Sequence, residues 1–229
     1  MFYTLLKHVF PGPLMLLWSR PRVTGREHVP RSGGVVLAGN HLSVADSFVV
    51  PLVLHRRVHF LGKHEYVTGT GFGGRVKAWF FGTIGMIPVD RGAAAAASAS
   101  VEVVIDVVRS GKAFGIYPEG TRSPDGRLYK GRTGVAKVAL ETGAPVVAVA
   151  VIGTDKLNPP GTTLWRPHRI EIRIGAPMEF SRYDGMSGDR WAERAIVDQI
   201  MTAIAELSGQ EYVDVYASSV KERAADEGA

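Results

Sequence analysis

Residues 35–46 read Val35-Val36-Leu37-Ala38-Gly39-Asn40-His41-Leu42-Ser43-Val44-Ala45-Asp46, and the fold follows from how this stretch is placed. An apolar run is followed by a histidine, and an aspartate comes five positions after that. On one straight helix, side chains five apart point roughly 140° away from each other, so His41 must lie before the helix that carries Asp46. The simplest geometry ends a strand at Gly39, leaves His41 in the turn, makes Ser43 the N-cap and puts Asp46 in the first helical turn. From there the carboxylate reaches back to the imidazole. Two readings stay open and are compatible. The pair is a catalytic base with the carboxylate that orients it, or Ser43-x-x-Asp46 is a capping box that satisfies orphan amides at a helix start.

Working outward, apolar β-rich runs at 35–39, 58–62, 84–88, 113–117, 146–152 and 169–174 alternate with helical patterns at 43–54, 73–81, 93–110, 133–142 and 189–207. Alternation of this kind predicts an α/β fold with a mostly parallel central sheet flanked by helices. Pro51 is expected to kink or end the first helix. Gly111 and Gly143 supply helix stops, and the charged tail from Lys221 is expected to fray. No linker or repeat divides the 229 residues, which predicts an α/β core over 23–180 and C-terminal helices over 181–229 completing the same domain.

The N-terminal 22 residues are apolar and aromatic-rich but broken by Pro11-Gly12-Pro13, too short on either side for the about 20 residues that cross a bilayer. No small-residue cleavage site follows, which argues against a secretory signal. Flanked by Lys7, Arg20 and Arg22, the segment reads as a docking element lying in a membrane interface, or as a helix packed on the core. With 27 Lys and Arg against 22 Asp and Glu, the net charge of +5 favours anionic partners. There are no cysteines, so an acyl-cysteine intermediate and cysteine-ligated metal are excluded. His8, His28, His64 and His168 lack clustered partners, so no metal site is expected.

A second chemical cluster, Tyr117-Pro118-Glu119-Gly120-Thr121-Arg122-Ser123, follows the run Ala113-Phe114-Gly115-Ile116. In open parallel sheets ligands collect outside the carboxyl ends of strands, so His41 and this cluster are expected to face one cleft. Arg122 offers a planar fork for phosphate, Gly120 admits close backbone approach, and Thr121 and Ser123 add hydroxyls. Lys130 and Arg132 precede a helix start where orphan amides favour an anion, and Arg91 follows another strand. Glu119, an awkward neighbour for a phosphate, is expected to pair with an arginine or to accept from a substrate hydroxyl. Residues 69–74 match a Gly-x-Gly-x-x-Gly dinucleotide fingerprint, but His64 to Thr68 separate it from the preceding strand, which argues for a loop. The basic run His55-Arg56-Arg57 comes with no nucleic-acid motif.

Four blocks, Asn40-His41-x-Ser43-x-x-Asp46, Gly85-x-Ile87-Pro88-x-x-Arg91, Tyr117 to Ser123, and Ala144-Pro145-Val146-Val147-Ala148-Val149, resemble in order those of the bacterial glycerolipid acyltransferases of the lysophosphatidate (1-acylglycerol-3-phosphate) type. Tyr117 stands where Phe is common, and Ala148 where a second proline often occurs. The resemblance implies that His41 deprotonates an acceptor hydroxyl and that Asp46 orients it. It also implies that Arg91, Glu119, Gly120 and Arg122 bind the acceptor, and that acyl-CoA or acyl carrier protein is the donor, with no cofactor. Thr121, Lys130 and Arg132 are further acceptor-binding candidates. An acyl chain would need an apolar groove, which the first helix and the Tyr66 to Phe81 segment could share, although a cluster such as Trp79-Phe80-Phe81 is more often plain core. The protein is therefore expected at the cytoplasmic face of the membrane, peripheral or monotopic, without nucleic-acid partners. The acceptor stays open among 1-acylglycerol-3-phosphate, glycerol-3-phosphate and other lysolipids or glycolipids. A non-catalytic membrane-surface protein is the alternative of a different class.

Overall fold

A computed structural model describes residues 2–63, 71–89, 94–160, 162 and 164–227. The chain opens with two helices, α1 (Phe2–His8) and α2 (Gly12–Ser19), and an edge strand, β1 (Arg22–Thr24). It continues through β2 (Val35–Gly39), α3 (Asp46–Val53), β3 (Val58–Lys63), α4 (Gly71–Ile84), β4 (Met86–Val89), α5 (Ala94–Arg109) and β5 (Ala113–Ile116). Then come β6 (Leu128–Tyr129), α6 (Gly134–Thr142), β7 (Val146–Ile152), a single turn α7 (Thr154–Leu157), β8 (Glu171–Met178), α8 (Arg190–Ser208), β9 (Tyr212–Val213) and α9 (Ala217–Glu227).

Seven strands form one sheet in the order β1-β8-β7-β2-β5-β3-β4. All neighbours are parallel except β7 and β8. Every residue of β2 is buried because it lies between two strands and under helices on both faces, which is why its composition is uniformly apolar. Val36, Ala38, Phe114 and Val146 face α5, α6 and α8, where Ile105, Val135, Ile196 and Ile200 close one core layer. The alternate residues Val35, Leu37, Val147 and Val149 face α3, where Val49, Val50 and Val53 close the other. Gly115 is required by packing, since a Cβ there would sit 2.1 Å from the Phe60 ring.

Several boundaries differ from the sequence reading. The fourth strand begins at Met86 because α4 continues through Ile84 and turns at Gly85, whose φ of +100° suits glycine alone. Pro51 sits inside α3, which runs on to Val53. The short strands β1, β6 and β9 have too few residues to display a period, and the sequence reading missed them. The tail expected to fray from Lys221 is the helix α9. The N-terminal helices pack on the core: the Lys7 ammonium donates to the carbonyls of Pro51 and Leu54 at the end of α3. Their outer face exposes Phe2, Leu5, Val9, Phe10, Leu14, Leu17 and Trp18. Among the described residues no helix is long and apolar enough to cross a membrane.

Candidate active site

Because β2 and β5 are adjacent and parallel, the loops at their carboxyl ends, 40–45 and 117–123, lie side by side. The first loop is held down by Asn40. Its side-chain carbonyl accepts from the Val151 amide (2.8 Å) and its NH2 donates to the Val151 carbonyl (2.9 Å), continuing the ladder between β2 and β7 past the strand end. The two loops are then tied through the backbone of His41 itself. The His41 amide donates to Glu119 Oε2 (3.1 Å), and the His41 carbonyl accepts from the Ser123 amide (2.7 Å).

Asp46 is fully buried at the first position of α3, and its Oδ2 accepts three hydrogen bonds: from His41 Nδ1 (2.8 Å), the Leu42 amide (2.8 Å) and the Ser43 amide (2.9 Å). A carboxylate accepts only, so the imidazole proton sits on Nδ1 and the lone pair on Nε2. The His41 side chain keeps 17% exposure. The Tyr117 ring stacks on it at 3.9 Å between centroids and 8° between planes. The imidazole is thus held in its plane by Asp46 and on one face by Tyr117. Burial raises the Tyr117 phenol well above its usual range, with the Asp46 charge adding to this, so the hydroxyl stays neutral and hydrogen-bonds Ser47 Oγ at 2.9 Å. Ser43 is not the N-cap of α3. Ser43 Oγ accepts from Ala45 N (3.2 Å) and donates to the Asn158 carbonyl (2.8 Å), and α3 begins after Ala45 with no side-chain cap. Half of the capping-box geometry survives, in that the Asp46 carboxylate takes the Ser43 amide.

Glu119 does not pair with an arginine. Its two oxygens accept from backbone amides, those of His41 and Tyr129 (2.9 Å), and the side chain is 1% exposed. It braces the two loops from within. Burial pushes its carboxyl up to about 7, against the opposing pull of those two amides. The folded protein therefore holds this proton to higher pH than the unfolded chain does. Stability from this group is complete below about 4.5 and is lost as pH rises through about 7. Urea unfolding of the parent between pH 5 and 8 should show a decline of at most about 3 kcal/mol from this source. Glu119→Gln leaves one amide without an acceptor, so it should start about 1–2 kcal/mol lower and lack that part of the slope. Identical slopes in the two proteins would refute the assignment.

The remaining candidates divide. Gly120 has φ +73°, and a Cβ there would lie 3.0 Å from Arg132 Nε, so the turn brings the Arg132 guanidinium onto the Glu119 to Ser123 loop. Thr121 Oγ1 accepts from Lys221 Nζ at 2.9 Å, and the Arg122 guanidinium has no ion-pair partner among the described residues. Lys130 turns away to Asp214 at 2.9 Å. Arg91 lies outside the described residues, as do Gly69 and Thr70 of the glycine repeat. Gly71 to Gly74 form the first turn of α4.

An apolar cavity of about 100 Å³ lies between the N-terminal helices, α3 and α4. Phe48 and Leu52 of α3 and Phe80 of α4 line it. Leu6 and Met15 of the N-terminal helices and Trp165 complete it, and these were missed because nothing local in sequence ties them to α3. Ser47 joins the two regions, lining the cavity and bonding the Tyr117 hydroxyl. Trp79 is half exposed and packs edge-on against Phe2, while Tyr66 lies outside the described residues.

Fold and site together define an α/β protein with a histidine–aspartate dyad at its strand ends, bonded to the 117–123 loop and connected through Ser47 and Tyr117 to an apolar cavity. A family model described as acyltransferase matches residues 20–152, more than half of the chain. The chain belongs to the acyltransferase family. It is 32% identical over 164 residues to the chloroplastic 1-acyl-sn-glycerol-3-phosphate acyltransferase BAT2 of Brassica napus, covering 71% of this chain and 46% of that protein. It is 31% identical over 133 residues to the 1-acyl-sn-glycerol-3-phosphate acyltransferase of Borreliella burgdorferi (58% and 51% covered), and 27% identical over 192 residues to that of Bacillus subtilis (82% and 88% covered). The chain spans about half the length of the first two. The crystal structure of the 1-acyl-sn-glycerophosphate acyltransferase PlsC from Thermotoga maritima superimposes with a TM-score of 0.60 at 20% identity over 89% of this chain and 88% of that one, which establishes the shared fold.

Proposed function

We propose that this protein transfers a long-chain fatty acyl group from an acyl-CoA or acyl carrier protein thioester to the free hydroxyl of 1-acylglycerol-3-phosphate, forming phosphatidate. The observation that carries this reading is the orientation of His41. With Nδ1 committed to Asp46, Nε2 is the basic atom, and the His41 backbone ties its loop to the Arg122 loop through the Glu119 carboxyl and the Ser123 amide. In this mechanism Nε2 takes the proton of the acceptor hydroxyl as its oxygen attacks the thioester carbonyl. The C–S bond then breaks, and the departing thiolate takes the proton back from the imidazolium. Asp46 stabilises the imidazolium between those steps, so no protein nucleophile is needed.

Arg122, Thr121 and Gly120, with Arg132 beside them and Arg91 from the second block, would hold the acceptor phosphate. Glu119 would act by bracing the loop, and Lys130 by anchoring it to Asp214. The cavity under α1 and α2 suits an acyl chain. The exposed apolar face of those helices, beside Arg20 and Arg22, suits a peripheral or monotopic position at the cytoplasmic face of a membrane, where a lysophosphatidate acceptor would reside. The names of the relatives support the choice of acceptor.

The test supplies purified protein with a long-chain acyl-CoA and separately with 1-acylglycerol-3-phosphate, glycerol-3-phosphate, a lysophospholipid and a glycolipid, following thiol release. Turnover at least tenfold faster with 1-acylglycerol-3-phosphate is the expected result. A faster rate with another acceptor would reassign the substrate, and no release with any would leave a membrane-surface binding protein.

A further inference from the structure

The segment after α8 wraps back over the cationic loop and is fastened along its length. Gln210 accepts from the Asn40 side chain at 2.7 Å and donates to the Gly126 carbonyl, and β9 pairs with β6. The Lys130 amide donates to the carbonyls of Val213 and Val215. The Arg132 guanidinium bonds Ser218 Oγ at 3.0 Å and lies over the Tyr216 ring. This fastening fixes α9 so that the Lys221 ammonium meets Thr121 Oγ1 at 2.9 Å and the Arg122 carbonyl at 2.5 Å.

An ammonium has three protons, and these contacts use two of them. Among the described residues neither Lys221 nor the Arg122 guanidinium forms an ion pair. The nearby carboxylate, Glu119, has both oxygens on backbone amides. The Arg122 charge disfavours the protonated form of Lys221 and the Glu119 charge favours it; an anion bound at this loop would offset the repulsion between the two cations. We infer that Lys221, a residue of the C-terminal helix far outside the four sequence blocks, is a phosphate-binding residue of the acceptor site and acts together with Arg122. Burial, followed by the Arg122 charge, lowers the Lys221 ammonium from its ordinary value, with Glu119 opposing.

The inference rests on the proposed acceptor, and two measurements separate failure of one from failure of the other. Lys221→Gln keeps a side-chain donor to clip α9 to the loop but removes the charge, and Lys221→Arg restores the charge. In the full chain, Lys221→Gln should raise the KM for 1-acylglycerol-3-phosphate at least tenfold. It should leave kcat and the KM for acyl-CoA within threefold, and Lys221→Arg should return the acceptor KM to within threefold of the parent. A change in acceptor KM of less than twofold, or equal losses in kcat and donor KM, would overturn the inference and leave Lys221 a structural clip. Should the parent fail to use this acceptor at all, inorganic phosphate serves as the probe. A rise in parent Tm with phosphate that Lys221→Gln abolishes supports the anion site, and an equal rise in both proteins rejects it.

Discussion

His41→Ala should lower kcat by about three orders of magnitude while the acceptor and donor KM values stay within a few-fold of the parent, because a general base at this position would act on a proton that moves only in the transition state. The imidazole is partly exposed, and the bonds that tie its loop to Glu119 and Ser123 come from backbone atoms, so alanine retains them. Unfolding midpoints in urea should therefore stay close to those of the parent. A variant with kcat within threefold of the parent would remove His41 from the chemistry and with it the mechanism.

Asp46 is expected to matter twice, for activity and for folding. Asp46→Ala leaves the Leu42 amide, the Ser43 amide and His41 Nδ1 without their shared acceptor in a buried place, which should cost about 3 kcal/mol in unfolding free energy. Its kcat should fall by about 10²–10³-fold, since the imidazole loses both its orientation and the charge that stabilises its protonated form. Asp46→Asn separates the two effects. An amide oxygen at the place of Oδ2 still accepts from the backbone, while its NH2 takes the place of Oδ1, which has no partner among the described residues. The stability loss should drop to about 1 kcal/mol while the loss of kcat persists. Turnover within threefold of the parent in Asp46→Asn would show that the carboxylate charge contributes nothing to the reaction.

These residues also show how far local pattern reaches. The dyad was legible because its geometry is local: a strand that stops at Gly39 and a helix that starts at Asp46 leave little freedom in the turn between them. The adjacency of the 40–45 and 117–123 loops followed from a general property of parallel sheets, that strand ends of one polarity share an edge. Glu119 could not be read in the same way. Its type suggested an ionic partner, whereas its burial gave it two backbone amides belonging to residues 78 and 10 positions away in the chain. Burial depends on packing that no single stretch encodes.

The order of chemical groups along the chain, the alternation that builds a parallel sheet, and the pairing of His41 with Asp46 are determined by the amino-acid sequence alone, since each rests on spacing within one supersecondary unit. Tertiary structure alone decided which helices roof the apolar cavity, where Glu119 spends its oxygens, and that Lys221, 99 residues beyond Arg122, returns to its carbonyl. Those contacts join segments whose separation carries no periodic signal, and they exist because closing the core brings the chain ends back over the strand ends.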